Sequence, residues 1–142
     1  MRLRPTPDWD PIFASLEEFR KLWPARGWSW DSRLICITSS IVGELVEPAR
    51  IALKTGFKAE YTSKTITTAH PYMQEAVEKT GGLRSNQFAF AATEQPVGHM
   101  FIFGLWWPWN DQETISLRVG ISRLEPNDDP YGRFRDLFNV SF

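Results

Sequence analysis

The stretch VGHMFIFGLWWPWNDQETISLRVGIS, residues 97–122, decides the fold. Its first half, residues 97–107, is apolar at nearly every position, which is typical of a strand buried on both faces. In its second half, apolar and polar residues alternate from Ile115 to Ile121, which predicts a strand with one buried and one solvent-facing side. Because the connection PWND is short, the two strands are predicted to form an antiparallel hairpin.

Tryptophans mark the end of the first of these strands. Trp106 and Trp107 point to opposite faces if the chain is extended there, and we expect both in the core because apolar side chains of a central strand are normally buried. Trp109 follows Pro108 in the turn, where the pattern gives its ring no inward direction. It is either an anchor for a partner or a ring that folds back over the end of the sheet.

Strand patterns also lie upstream of this hairpin. NQFAFAA, residues 86–92, predicts a strand that completes a three-stranded antiparallel meander. The run LICIT, residues 34–38, has strand composition, and residues 57–67 alternate as a half-buried strand does. Trp28 and Trp30 lie in a loop or a further short strand.

Helical periodicity recurs along the chain. It predicts helices over residues 10–23, about 40–55 and about 70–80, and a last helix that starts at Pro130. Pro48 lies inside the second of these, so we expect it to kink or split that helix. Gly56 is placed to follow the end of the same helix.

Together these elements predict one α+β domain over residues 1–142. We expect a mostly antiparallel sheet of about four to five strands, with two to three helices packed on one face. A chain of this length buries roughly 68–70% of the surface that its unfolded form exposes, so it can hold a core without crosslinks.

Composition excludes several classes of function. The chain has 16 basic and 17 acidic residues and no basic run, so we expect no nucleic-acid partner. The longest apolar run, residues 100–109, is about half of the roughly 20 residues that a spanning helix needs, so we expect no membrane segment. The N-terminal residues show no apolar leader, which favours a cytoplasmic location.

Catalytic and metal-binding chemistry finds little support. Cys36 lies in an apolar run, as a buried free cysteine does, and His70 precedes a proline at a helix start, where it is expected to cap the helix or lie on the surface. Close pairs of zinc ligands are lacking, and residues 125–130 lack the glycine and terminal glutamate of a calcium loop. We therefore predict no catalytic residue, cofactor or metal.

One further segment, KTGGLRSN at residues 79–86, offers backbone N–H groups and Arg84 to an anion. It precedes a strand rather than a helix, so it lacks the context of a phosphate loop. We interpret it as a helix stop and a turn.

The leading hypothesis is a non-enzymatic cytoplasmic domain that binds another protein. A bacterial immunity protein, an inhibitor or a small adaptor would fit, although only size and type favour these. We expect the tryptophan to anchor a partner whose basic surface is steered by acids. The predicted contact residues are Trp109, Asn110, Asp111, Asp128 and Asp129.

Two alternatives stay open. The first is a small-molecule site, in a binding protein or a small enzyme, lined by aromatic rings between helices and sheet, with His99 or Arg118 as its polar group. The second is a homodimer in which the half-exposed last strand pairs through its edge with a second copy.

Overall fold

The structure, a computed structural model, describes residues 8–25, 27–31, 36–111, 113–123 and 129–140. Within them the helices are α1 (Asp10–Leu22), α2 (Val46–Gly56), α3 (Pro71–Lys79) and α4 (Asp129–Phe138), with short 3₁₀ turns at Gly43–Leu45 and Ile66–Thr68. The strands are β1 (Ser29–Asp31), β2 (Cys36–Val42), β3 (Ala59–Tyr61), β4 (Phe88–Ala91), β5 (Phe101–Pro108) and β6 (Thr114–Ser122).

The described strands form one sheet in the order β1-β2-β6-β5-β4-β3, in which every neighbouring pair is antiparallel. The α+β prediction is confirmed, and so is the meander of β4, β5 and β6. The strand count is slightly higher than predicted because the segment around Trp30 pairs with β2 as β1.

The last strand lies inside the sheet. β6 pairs with β2 on one side, where Val119 faces Ile37, and with β5 on the other, where Arg118 faces Leu105. The expected open edge is therefore wrong, since both edges of β6 are already hydrogen-bonded. The outer strands are β1 and β3, with three residues each, and a homodimer in itself stays a prediction.

The boundary between β2 and α2 differs from the prediction. Ile41 and Val42, expected in a helix, end β2 and pair with Ile115 and Thr114. Because α2 starts only at residue 46, Pro48 falls in its first turn, where a backbone N–H would have no partner within the helix. Pro48 therefore lies near the start of α2 and does not split it.

Gly56 is the last residue of α2 rather than the residue after it. A Cβ at this position would lie 2.5 Å from the Cβ of Phe19. Glycine is needed here because α1 and α2 approach closely, and not to end the helix in a left-handed turn.

The strand predicted over 57–67 shrinks to β3. Directly after it, the Thr65 hydroxyl accepts a hydrogen bond from the Thr62 backbone N–H at 2.8 Å. Such local side-chain bonds compete with strand pairing and turn the chain.

Helices cover the two faces of the sheet unequally. α1, α2 and α4 pack on one face, as predicted, and α3 adds a layer on the opposite face over β4 and β5. Buried residues of the first layer include Leu16, Phe19, Leu53, Phe134, Trp106 and Val119. Buried residues of the second include Met73, Val77, Phe101, Phe103 and Leu105. Trp106 thus lies in the core as expected, whereas Trp107 on the other face is only partly buried.

Candidate functional site

The face of the sheet that carries α3 is open beside that helix. On β2 and β6 the side chains of this face are mostly hydroxyls, because Thr38 pairs with Arg118 and Ser40 with Ser116. Ser40 is exposed there. The alternation of β6 that sequence alone predicted thus turns its polar side toward this surface.

Trp109 stands over this surface and is 53% exposed. Its backbone N–H donates to the Thr114 carbonyl at 2.8 Å, and its indole Nε1 donates to the Ser116 hydroxyl at 2.6 Å. The ring thus bonds back onto the sheet, as one expectation had it, and is also exposed to solvent, as a partner anchor requires. Because both its backbone and its indole are held, a partner would order little further in binding it.

Arg118 and Trp107 form the floor beside this ring. The guanidinium carbon of Arg118 lies 4.5 Å from the centroid of the Trp107 ring, a cation–π contact. Its Nε is 3.8 Å from Oδ2 of Asp31, and the two side chains are only 18% and 11% exposed. The guanidinium plane is therefore held between a ring and a carboxylate.

Two hydrogen-bond donors of the floor are buried without an acceptor among the described residues. Trp107 Nε1 and Arg118 Nε are shielded from solvent and have no hydrogen-bond partner. Elsewhere on Arg118, the terminal nitrogens make no hydrogen bond within the described part of the chain. The Arg118 cation contributes a positive potential at the floor, which the Asp31 carboxylate partly offsets.

These side chains border a cleft of about 620 Å³, called the Trp109 cleft below. One wall is the turn after α3, with Gly81, Gly82, Arg84 and Gln87, and the other is the end of β5 with Trp109 and Asn110. Among the residues that line it, the charged ones are Arg84 and Arg118, and both are cations.

Two glycines bring Arg84 to this cleft. Gly81 and Gly82 have φ angles of 107° and 80°, in the left-handed region that favours glycine, and they reverse the chain after α3. The Arg84 backbone N–H then donates to Oε1 of Gln87 at 2.8 Å. Sequence reasoning took this segment for a simple turn and missed Gln87, although the glycine pair before Arg84 was a usable signal.

The structure places part of the predicted contact set at the cleft. Trp109 and Asn110 line the cleft. Asp128 lies outside the described residues, and α4, which begins at Asp129, packs on the opposite face of the sheet.

Asp111 serves the hairpin turn. Its carboxylate accepts hydrogen bonds from the backbone N–H groups of Glu113 and Thr114, at 2.9 and 2.8 Å, and from the Thr114 hydroxyl at 2.6 Å. The bond from the Thr114 hydroxyl contributes most to lowering the pKa of Asp111 below its usual value.

Of the two alternative polar groups, His99 or Arg118, Arg118 lines the Trp109 cleft and His99 does not. His99 is exposed in a tight turn between Val97 and Met100, and β5 begins only at Phe101. The expected place of His99 on the central strand is therefore wrong. Arg118 lies farther along the sheet, on the open face rather than under the layer of α1, α2 and α4.

The remaining candidates for catalysis or metal binding have structural roles or are too far apart to act together. The pKa of the Cys36 thiol is raised to about 12, mainly by burial and to a smaller extent by the nearby Asp31 carboxylate. Nδ1 of His70 accepts the backbone N–H of Tyr72 at 3.1 Å and caps α3, one of the two positions expected. Across the described ranges, no three His, Cys, Asp or Glu side chains come together as metal ligands.

Comparison with other proteins adds no relative. Of the helices described, none has both the length and the apolar composition needed to cross a bilayer. Searches against protein families, curated proteins and solved structures found no match to this chain. What the chain does has to be inferred from the geometry of the Trp109 cleft.

Proposed function

We propose that the chain is a non-enzymatic protein-binding domain and that the Trp109 cleft is its contact surface. The observation that carries this proposal is Trp109 itself, 53% exposed yet held by two hydrogen bonds. Tryptophan and arginine are enriched among the residues that dominate binding energy, and here Arg118 lies beside the ring.

A small ligand is the second candidate. The cleft volume of about 620 Å³ lies within the roughly 300–1,000 Å³ of small-molecule sites. Such sites enclose their ligands between mostly apolar walls, whereas more than half of Trp109 faces solvent and Arg84, Gln87 and Asn110 line the walls. An open, partly polar cleft fits the surface of a protein better.

A finer proposal concerns what binding does. An immunity or inhibitor protein would block the activity of its partner in the cytoplasm, and an adaptor would leave that activity unchanged. Size and fold class are the only support for this choice. Assaying the purified partner with and without this chain distinguishes the two roles.

The test of the main proposal compares three proteins in a pull-down from the native lysate: wild type, Trp109→Ala and Ile51→Ala. Ile51 is the matched control, because it is 56% exposed on α2, away from the cleft. A protein captured in stoichiometric amount is identified, purified and titrated by calorimetry. We expect Trp109→Ala to weaken Kd about 30-fold, since hot-spot residues contribute about 2 kcal/mol.

Ile51→Ala should bind as wild type does. Equal affinity for all three proteins would refute Trp109 as the anchor. If the folded wild type captures nothing, the small-ligand candidate takes precedence and is screened by tryptophan fluorescence.

A further inference from the structure

We infer that the Trp109 cleft recognises an acidic side chain in an extended segment of the partner, followed two residues later by an apolar side chain that packs on Trp109. This inference rests on the proposed function and names the chemistry of the partner. It reverses the expectation of a basic partner.

The charges that border the cleft carry the first step. Arg84 and Arg118 are the charged residues of its lining, and both are positive. The acid expected to steer a partner, Asp111, turns its carboxylate into its own hairpin, where three hydrogen bonds hold it. An occupant with a negative group therefore complements the two cations of the lining.

The geometry of Arg118 carries the second step. Stacking on Trp107 at 4.5 Å and the contact of Nε with Asp31 at 3.8 Å fix the plane of the guanidinium. Its terminal nitrogens make no hydrogen bond within the described residues. A planar fork of this kind matches the two oxygens of a carboxylate.

The Asp31 carboxylate offsets part of the Arg118 charge, because its oxygen lies 3.8 Å from Nε and both side chains are largely shielded from solvent. Asp31 itself does not line the cleft. The cation of Arg84 on the opposite wall is exposed and adds to the positive potential.

The spacing of the two recognition points carries the third step. Trp109 is bonded through its indole to Ser116, and Ser116 lies two residues before Arg118 on the same face of β6. Two residues of a strand span about 6.6 Å, and side chains two apart point the same way. An extended segment that runs antiparallel to β6 thus places an acidic residue at Arg118 and, two positions later, an apolar residue at Trp109.

The experiment uses the whole chain labelled with ¹⁵N and three acetylated, amidated peptides: Gly-Glu-Ser-Leu-Gly and its Gln and Lys counterparts at the second position. The indole N–H signals of Trp107 and Trp109, assigned from Trp→Phe variants, report binding. We expect saturable shifts of both signals with the Glu peptide at a Kd on the order of 1 mM. The Gln and Lys peptides should bind about tenfold more weakly or not at all.

Three variants test the assignment of charge. Arg118→Lys keeps a cation facing Asp31 but loses the planar fork, and should weaken the Glu peptide about fivefold. Arg84→Gln, at an exposed position, should weaken it about threefold without affecting the fold. Lys58→Gln, exposed before β3 and away from the cleft, is the control and should change nothing.

Several outcomes would overturn the inference. These are equal or stronger binding of the Lys peptide, absence of saturable shifts with the Glu peptide, and unchanged binding in both arginine variants. Shifts of the same indole signals on raising the protein concentration alone would identify the occupant as a second copy of the chain. If a captured partner depends on Trp109 but binds Arg84→Gln and Arg118→Lys normally, the proposed function stands and this inference falls.

Discussion

At the scale of single residues, burial decides what Cys36 can do. The side chain is 1% exposed and lies beside Gly120 of the neighbouring strand. Removing water from a thiolate is unfavourable, so the pKa of this thiol rises to about 12, with a smaller contribution from Asp31. The native state therefore keeps a proton that the unfolded chain loses at lower pH.

This difference predicts a loss of stability in alkali. Above pH 9.0, the ordinary pKa of the thiol, the unfolded state releases the proton of Cys36 while the native state retains it up to about pH 12. The free energy of unfolding should fall in this window with a slope that approaches about 1.4 kcal/mol per pH unit. In Cys36→Ala this component is absent, so urea denaturation of both proteins between pH 8 and 11 gives curves that converge as pH rises. Parallel curves would contradict the raised pKa.

Asp111 shows what sequence can and cannot predict at this scale. An aspartate in a turn has backbone N–H groups two and three residues ahead within reach, and this local use was readable from NDQET. The prediction of a steering acid overlooked it. In contrast, the Trp109 indole bonds to Ser116, across the hairpin, and the position of the ring could not be read from its neighbours in sequence.

At the scale of elements, sequence predicted type better than boundaries. Residues 34–53 carry both strand composition and a helical stripe, so Ile41 fits either element. Pairing with β6 decides in favour of a strand up to Val42. Since that partner lies far along the chain, local periodicity could not place the junction.

The close contact of α1 with α2 predicts opposite effects of the same substitution at two helical glycines. In Gly56→Ala the new methyl group would meet the Cβ of Phe19 at 2.5 Å, so we expect a loss of about 1–3 kcal/mol from overpacking. Gly132 in α4 is the control, because a Cβ there meets nothing within 4 Å. Gly132→Ala should gain about 0.5–1 kcal/mol from helix propensity. Thermal or urea denaturation of both variants checks the signs, and stabilisation by Gly56→Ala would show that the helices can separate at no cost.

At the scale of the whole molecule, the order of the strands in the sheet could not be predicted from the sequence. The meander of β4, β5 and β6 follows from short connections, and it was predicted. The neighbours β2 with β6 and β3 with β4 are distant in sequence, and no local pattern indicates them. The same holds for the position of α3, and therefore for the meeting of Arg84 with Arg118 in one cleft.

The contact between α3 and the end of β6 gives a further prediction at this scale. Arg123, just after β6, lies 3.8 Å from the ring centroid of Tyr72 and donates to both oxygens of Glu75, at 3.0 and 3.4 Å. The hydrogen bond from Arg123 contributes most to lowering the pKa of Glu75, so this pair stays ionised at neutral pH. We expect Glu75→Gln to raise amide hydrogen exchange in α3 a few-fold and to leave α1 unchanged. The control is Glu17→Gln, which removes an exposed ion pair with Lys21 on α1. Equal exchange in α3 for both variants would contradict a role of the Arg123–Glu75 pair in holding α3 on the sheet.

The central place of β6 has a consequence for how the chain is made. Cys36 pairs with Gly120, so β2 leaves the ribosome long before its main neighbour exists. Until β6 is synthesised, the seven residues of β2 present a bare edge on the side that β6 later fills. Closing the long loop between β2 and β6 costs conformational entropy, which slows their pairing. The docking of β2 on β6 is therefore a late step of folding. In that interval the unpaired edge of β2 is most prone to pair with strands of other chains. Pairing with β6 closes this edge.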